Sequence, residues 1–166
     1  MPILIGSALP DVPLARMVDG EIVAINAARI FSNKSSLIIG VPGAFTPVCT
    51  REHVPDLVRN ARKLKAAGYE QIACIVANDP FVVEAWSQML DPGREILFLA
   101  DGNLQFTSAL GLVSYETGLH LGQRSCRYIM RVDSGIIRYL RVEPSILVYA
   151  CTNPDAELAA CISLDV

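Results

Sequence analysis

The sequence lacks any block of basic residues and any long apolar run. Its 14 Lys and Arg residues and 17 Asp and Glu residues give a net charge of −3. Binding of nucleic acid or of an anionic membrane surface relies on clustered positive charge, so neither partner is expected. No apolar run approaches the roughly 20 residues that a membrane-spanning helix needs. Residues 1–6 show no basic segment followed by a long apolar segment, so we expect no secretory signal and a cytoplasmic, reducing compartment.

Several catalytic motifs are also missing. The sequence contains no C-x-x-C pair, no G-x-S-x-G element and no Walker-type phosphate loop. A dithiol oxidoreductase, a serine hydrolase of the α/β class and a P-loop nucleotidase are therefore not predicted. The two histidines are His53 and His120, and the single C-x-x-x-H pair of Cys49 and His53 is weak support for a metal site. We expect His53 to pack near Cys49 or to line the rim of its pocket.

The sequence does contain enough apolar residues for one well-packed domain. Hydrophobic residues make up 52% of the 166 residues and charged residues 19%, which favours a single domain over residues 1–166. Strand-like runs alternate with helical patterns, as is typical of βαβ units around a covered sheet. Asp133-Ser134-Gly135 predicts the turn of a late hairpin. The predicted strands are 36–41, 71–77, 96–100, 125–132 and 135–142, and the predicted helices are 46–67, 80–90, 104–110 and 155–163.

Prolines mark two of these helices. Asp79 and Pro80 have the character of an N-cap and a first helical residue. Pro47 is tolerated at a helix start, whereas Pro55 removes a hydrogen bond inside helix 46–67 and predicts a kink or local distortion there.

The most informative segment is Val41-Pro42-Gly43-Ala44-Phe45-Thr46-Pro47-Val48-Cys49-Thr50, which joins a predicted buried strand to a predicted helix. It places Cys49 at the entry of the helix. Unpaired backbone N–H groups and the positive end of the helix dipole favour a thiolate at such a position. Most free cysteines are small buried hydrophobic residues, but this setting favours a nucleophilic and oxidisable thiol.

The spacing Pro42-x-x-x-Thr46-x-x-Cys49 resembles the active-site motif of the peroxiredoxins. The run Pro-Gly-Ala-Phe-Thr-Pro-x-Cys-Thr is similar to the type-II branch, which includes the atypical two-cysteine enzymes. The resemblance covers nearly the whole chain, with further matching segments at 6–10, 73–79, 124–130 and 142–144. It implies an α/β thioredoxin-like fold, a central mixed sheet flanked by helices. It also implies peroxide reduction by Cys49 without metal, haem or flavin.

The same resemblance implies roles for three further residues. The Thr46 hydroxyl would orient the peroxide, although a hydroxyl at this position also suits a helix cap. The Pro42 ring would shield the thiolate from water, whereas the alternative is an ordinary turn proline. Arg127 would stabilise the thiolate and the departing oxygen. Alternation in strand 125–132 puts Arg127 on one face with Ile129 and Arg131. Arg127 could instead form a surface salt bridge, and Arg124 is a rival for the catalytic role.

The second cysteine of the reaction is open. Cys151 lies nine residues after Val142, where the resemblance implies the resolving cysteine, in a predicted loop over residues 144–154. The apolar, glycine-free run 145–149 would slow a swing of this loop. Cys74 is the alternative, because plant-like members of the branch carry a comparable cysteine, but its position inside a predicted strand favours packing. Packing is also expected of Cys126, in a predicted strand, and of Cys161, on the last predicted helix.

The expected function is therefore that of a thiol-dependent peroxidase acting on hydrogen peroxide and organic hydroperoxides. A Cys49 sulfenic acid would condense with Cys151, and a thioredoxin-like donor would reduce the disulfide. A single-cysteine mechanism recycled by glutathione and glutaredoxin is the first alternative. A redox sensor or interaction protein without turnover is the second. Members of the branch often dimerise near the active site, so a homodimer is a further expectation from the resemblance.

Overall fold

A computed structural model of the chain describes residues 3–156. The elements, in chain order, are strands β1 (Pro13–Val18) and β2 (Glu21–Asn26), helix α1 (Ala27–Ile30), strand β3 (Ser35–Val41), a π-helical turn (Cys49–His53), helix α2 (Val54–Ala66), strand β4 (Gln71–Val76), helix α3 (Pro80–Leu90), strand β5 (Leu97–Ala100), helix α4 (Gln105–Leu110), strand β6 (Val113–Glu116), a 3₁₀ turn (Thr117–Leu119), and strands β7 (Gly122–Ser125), β8 (Tyr128–Asp133) and β9 (Ile136–Val142).

Seven strands form one mixed sheet in the order β2-β1-β5-β4-β3-β8-β9. The central strands β3, β4 and β5 run parallel, and β8 pairs antiparallel with β3. Strands β6 and β7 form a separate two-stranded ribbon. This mixed sheet flanked by helices confirms the predicted thioredoxin-like fold class.

Helices cover both faces of the sheet because the central strands are apolar on both sides. Leu37 and Ile39 of β3 share one core cluster with residues of α2 and α3, while Ile38 belongs to the opposite cluster with residues of α1 and α4. Gly40 follows these residues in β3. It leaves space for the Tyr128 ring, which lies where a Cβ at residue 40 would be. The core therefore fixes the carboxyl end of β3, from which the Cys49 segment leaves.

Most of the predicted elements appear with bounds shifted by one or two residues. Asp79 caps α3 by accepting hydrogen bonds from the backbone N–H groups of Phe81 and Val82, as predicted. Ser134 and Gly135 both have positive φ at the predicted β8–β9 turn. The prediction of one continuous strand over 125–132 was wrong, because the chain breaks between β7 and β8 at Cys126 and Arg127. Strands β1, β2 and β6 were missed, and most of predicted helix 155–163 lies outside the described residues, as does Cys161.

Candidate active site

Cys49 begins the π-helical turn that connects the loop after β3 to α2. The N–H of Val54 bonds to the Cys49 carbonyl, five residues back, and Pro55 follows with no N–H to donate. The distortion predicted at Pro55 is thus this wider turn just before it. Because a π-helix has slightly more than four residues per turn, Cys49 and His53, four residues apart, lie on the same side. Both residues are fully buried.

Arg127 reaches this pair from the break between β7 and β8. Its Nη1 lies 3.5 Å from Cys49 Sγ and donates to His53 Nδ1 at 3.1 Å. Its Nη2 donates to the carbonyl of Ile146 at 2.6 Å. None of these three acceptors is a carboxylate, although Arg127 is only 1% exposed. The buried guanidinium therefore places its positive charge directly beside the Cys49 sulfur.

His53 is neutral in this arrangement. Burial, and next the positive charge of Arg127, lower the pKa of His53 to about 3. Its Nδ1 accepts from Arg127, so the ring proton belongs on Nε2, which donates to the carbonyl of Thr152 at 3.1 Å. Both ring nitrogens are therefore occupied. Of the two expectations for His53, packing near Cys49 is the one observed: the ring is fully buried and bridges Arg127 to the segment around Thr152.

Side-chain hydrogen bonds fix the loop between β3 and the π-helical turn. Asn78 Oδ1, just after β4, accepts from the N–H of Ala44 at 2.8 Å. Thr46 Oγ1 donates to the carbonyl of Gly43 at 2.8 Å, so its proton is used inside the loop while its lone pairs remain available to accept. Pro42 is buried at the base of the same loop.

Arg124, the rival of Arg127, has a different task. Its Nη1 donates to the carbonyl of Ala77 at 3.0 Å and its Nε to that of Leu121 at 2.9 Å. A Cβ at Gly43 would lie 3.1 Å from Arg124 Nη1. Arg124 thus packs under the loop at Gly43, in what we call the floor of the loop, whereas Arg127 contacts the Cys49 sulfur.

The chain after β9 closes the other side of the site, and the sequence analysis missed its contribution. Ile146, 5% exposed, supplies the carbonyl that Arg127 binds. The Tyr149 ring lies against His53, with centroids 4.9 Å apart, and its hydroxyl donates to Asp56 Oδ2 at 2.8 Å. The predicted loop is therefore docked against the site. Backbone carbonyls carry no signal in a sequence, so these contacts had none to reveal them.

Glu143 organises the end of this segment. Its Oε1 accepts hydrogen bonds of 2.8–2.9 Å from the N–H groups of Ala150, Cys151 and Thr152 and from the Thr152 hydroxyl. Its Oε2 accepts from Cys151 Sγ at 3.4 Å. Burial and then this carboxylate raise the pKa of the half-buried Cys151 thiol. Cys151 thus adjoins the site, because the next residue, Thr152, contacts His53, but the Cys151 thiol points at Glu143.

The remaining described cysteines are less available. Cys74 is fully buried in β4 and belongs to the same core cluster as Cys49. Burial, and next the nearby Cys49, raise the pKa of Cys74 well above its usual value. Cys126 is half-buried between β7 and β8 rather than inside a strand, and burial raises its pKa. The four cysteines of residues 3–156 are all free thiols in this structure.

Comparison with known proteins decides the family. A family model described as Redoxin matches residues 4–158. "Peroxiredoxin-2E, chloroplastic" of Arabidopsis thaliana is 38% identical over 159 residues, covering 93% of this chain and 67% of that protein. The chain belongs to the peroxiredoxin family. "Peroxiredoxin-2E-2, chloroplastic" of Oryza sativa subsp. japonica is also 38% identical, over 85% of this chain and 65% of its own length, so the chain spans about two thirds of these two relatives.

A solved peroxiredoxin structure supports the same conclusion. Reduced Prx3 of Vibrio vulnificus in complex with H2O2 is 38% identical, superposes with a TM-score of 0.90, and is matched over 96% of this chain and 99% of its own. Members of the peroxiredoxin family are thiol-dependent peroxidases.

Proposed function

We propose that this chain reduces hydrogen peroxide and organic hydroperoxides through Cys49. The Cys49 thiolate attacks one peroxide oxygen, the O–O bond breaks, and the leaving oxygen takes a proton to become water or an alcohol. The sulfur is oxidised to a sulfenic acid as the peroxide is reduced. The observation that carries this proposal is the 3.5 Å contact of the buried Arg127 guanidinium with Cys49 Sγ.

The surroundings of Cys49 suit each demand of this reaction. Arg127 offers positive charge both to the thiolate and to the oxygen that becomes negative as the O–O bond breaks. The Thr46 hydroxyl, its proton donated to Gly43, accepts from the peroxide O–H and so orients the substrate. Pro42 presents no N–H and limits access of water to the sulfur.

For the second half of the reaction we propose Cys151 as the resolving residue. Its thiol condenses with the Cys49 sulfenic acid, which releases water and forms a disulfide, and a thioredoxin-like donor then reduces this disulfide. A cytoplasmic, reducing compartment would keep the donor supplied. Two similar solved structures support this choice of donor and substrate by their names. One is named as a putative thioredoxin reductase, of Burkholderia cenocepacia, and the other is Vibrio Prx3 in complex with H2O2.

One observation favours the single-cysteine alternative. The Cys151 thiol and the N–H groups around it are tied to Glu143, and Cys49 is fully buried, so both partners must move before they can meet. An external thiol such as glutathione, with glutaredoxin, needs only the Cys49 side to open. Cys74 remains a second resolving candidate, since it shares a core cluster with Cys49.

Peroxide consumption with a thioredoxin system and with glutathione and glutaredoxin tests these steps. Wild type is compared with Cys49→Ser and Cys151→Ser, and disulfides in the oxidised wild type are mapped by mass spectrometry. Loss of activity in Cys49→Ser and a Cys49–Cys151 linkage are the expected results. Unchanged turnover of Cys151→Ser would exclude the resolving role. Oxidation of Cys49 without turnover in either system would contradict the peroxidase proposal and favour a redox sensor.

A further inference from the structure

Glu143 is the most highly bonded carboxylate near the site, and the proposed peroxidase chemistry does not use it. Glu143 is 5% exposed and directly follows β9. One oxygen accepts four hydrogen bonds from residues 150–152, and the other accepts from the Cys151 thiol. All five of these hydrogen bonds come from one short segment, and that segment contains the candidate resolving cysteine.

The proton shared by this pair belongs on the sulfur. Burial raises the pKa of the Glu143 carboxyl, but the hydrogen bonds from residues 150–152 outweigh it and lower the pKa overall. The Cys151 pKa moves in the opposite direction, raised by burial and by Glu143, with Arg141 as the one opposing charge. Glu143 is therefore a poor base for Cys151, because the carboxylate stays charged and the thiol stays protonated.

The same contacts couple the thiol to the peroxide site. Thr152, whose N–H and hydroxyl bind Glu143, offers its carbonyl to His53, and His53 accepts from Arg127. Docking of residues 150–152 thus supports the His53–Arg127 pair. It also keeps Cys151 away from any role as a nucleophile until the segment leaves Glu143.

We propose that Glu143 is a positioning residue that holds the Cys151 segment docked and its thiol hydrogen-bonded to the carboxylate, so that release from Glu143 precedes disulfide formation. The resolving part of this inference rests on the proposed function, while the hold on Cys151 does not. Once Cys151 leaves the carboxylate it ionises more readily, attacks the sulfenic sulfur of Cys49 and expels the hydroxyl oxygen, which is protonated to water. No further oxidant or reductant is needed for that step.

Glu143→Gln isolates the contact with the thiol. The amide oxygen can still accept from residues 150–152, while an uncharged NH2 replaces the oxygen that faces Cys151. Removing two of the causes that disfavour the thiolate should lower the pH midpoint of Cys151 alkylation. For a drop of about one pH unit, the thiolate fraction at neutral pH rises about tenfold and its nucleophilicity falls about threefold, so alkylation becomes about threefold faster.

The experiment measures iodoacetamide labelling of Cys151 against pH in the Cys49→Ser background, with peptides resolved by mass spectrometry. Thr152→Val is the matched control, because it removes one hydrogen bond to Glu143 and leaves the charge in place. A lowered midpoint in Glu143→Gln and an unchanged midpoint in Thr152→Val support the proposal. An unchanged midpoint in Glu143→Gln, or an equal shift in both variants, would overturn it. Circular dichroism and the fluorescence of Trp86 verify folding of each variant.

A single-turnover experiment then tests the order of events. Trp86, the one tryptophan, donates to Thr50 Oγ1 at 3.2 Å, one residue from Cys49, and so reports on this turn. With Cys49 intact, Glu143→Gln should speed disulfide formation about threefold or more while the reaction with peroxide changes by less than about twofold. An unchanged rate of disulfide formation would overturn the gating role. Absence of any Cys49–Cys151 disulfide in wild type would instead refute the proposed resolving mechanism and leave the labelling result standing.

Discussion

Replacement of Arg127 by Lys is the most direct perturbation of the candidate site. The lysine keeps the positive charge but loses the fork that serves the Cys49 sulfur, the His53 ring and the Ile146 carbonyl at the same time. One ammonium on a flexible stem cannot satisfy three acceptors placed for a planar group. The variant therefore tests geometry, and Arg127→Gln, which removes the charge as well, tests electrostatics.

The magnitude follows from the distance. A unit charge 3.5 Å from the sulfur interacts with a thiolate by about 5 kcal/mol at an effective dielectric constant of about 20. Because the desolvation of both groups offsets part of this, we expect a loss of about 3–4 kcal/mol of transition-state stabilisation in Arg127→Gln. This is a fall of about 10²- to 10³-fold in the rate of reaction with peroxide. Arg127→Lys should lie between this variant and wild type.

Stopped-flow fluorescence of Trp86 gives that rate directly, with hydrogen peroxide in excess. Arg124→Lys is the matched control, since Arg124 bonds to the carbonyls of Ala77 and Leu121 in the floor of the loop. It should lose much less than Arg127→Lys. Thermal unfolding verifies that each variant is folded. A rate for Arg127→Gln within fivefold of wild type would refute the role inferred for the guanidinium.

Three further predictions concern stability and the docked segment. Because the pKa of His53 is about 3 in the folded chain and 6.5 in the reference state, the folded state binds its proton less readily than the unfolded chain. The stability due to the neutral ring is therefore complete above pH 6.5 and falls toward pH 3 by up to about 1.4 kcal/mol per pH unit. Urea unfolding at pH 7.5 and pH 5 should therefore show that the free energy of unfolding depends less steeply on pH in His53→Asn than in wild type. Gly40→Ala should destabilise the chain by about 1–3 kcal/mol, because the added Cβ would meet the Tyr128 ring. Gly118→Ala is the control: its added Cβ meets nothing within 4 Å, so its free energy of unfolding in the same assay should lie within about 0.5 kcal/mol of wild type. Tyr149→Phe removes one anchor of the loop and should increase Cys151 alkylation without moving its pH midpoint; an unchanged rate would mean that this anchor does not restrain the loop.

The sequence predicted the part of the site that is local along the chain. Cys49 at a helix entry and the distortion near Pro55 follow from dihedral and hydrogen-bonding preferences of a few neighbouring residues. Arg127 was assigned by resemblance, and the strand that was meant to present it does not exist at that point. The contact depends on the chain leaving the sheet between β7 and β8, a tertiary feature that alternation of apolar residues did not reveal.

The docked segment after β9 was the least predictable part. Apart from the Tyr149 side chain, its contributions to the site are two backbone carbonyls, of Ile146 and Thr152, and a carboxylate whose partners are mainly backbone N–H groups. Side-chain identity does not specify such contacts. The one signal was Glu143 itself, an acidic residue at the end of a strand, which composition alone would place at the surface.

The two halves of the proposed reaction make opposite demands on this segment. Reaction with peroxide benefits from docking, because the carbonyls of Ile146 and Thr152 hold the Arg127 and His53 side chains that face Cys49. Disulfide formation requires undocking, because the Cys151 thiol faces Glu143 while docked. A substitution that weakens docking should therefore slow the first step and speed the second. A substitution of Arg127 acts first on the step with peroxide. Opposite responses of the two rates to loosening of one loop are a signature that a merely structural segment would not produce.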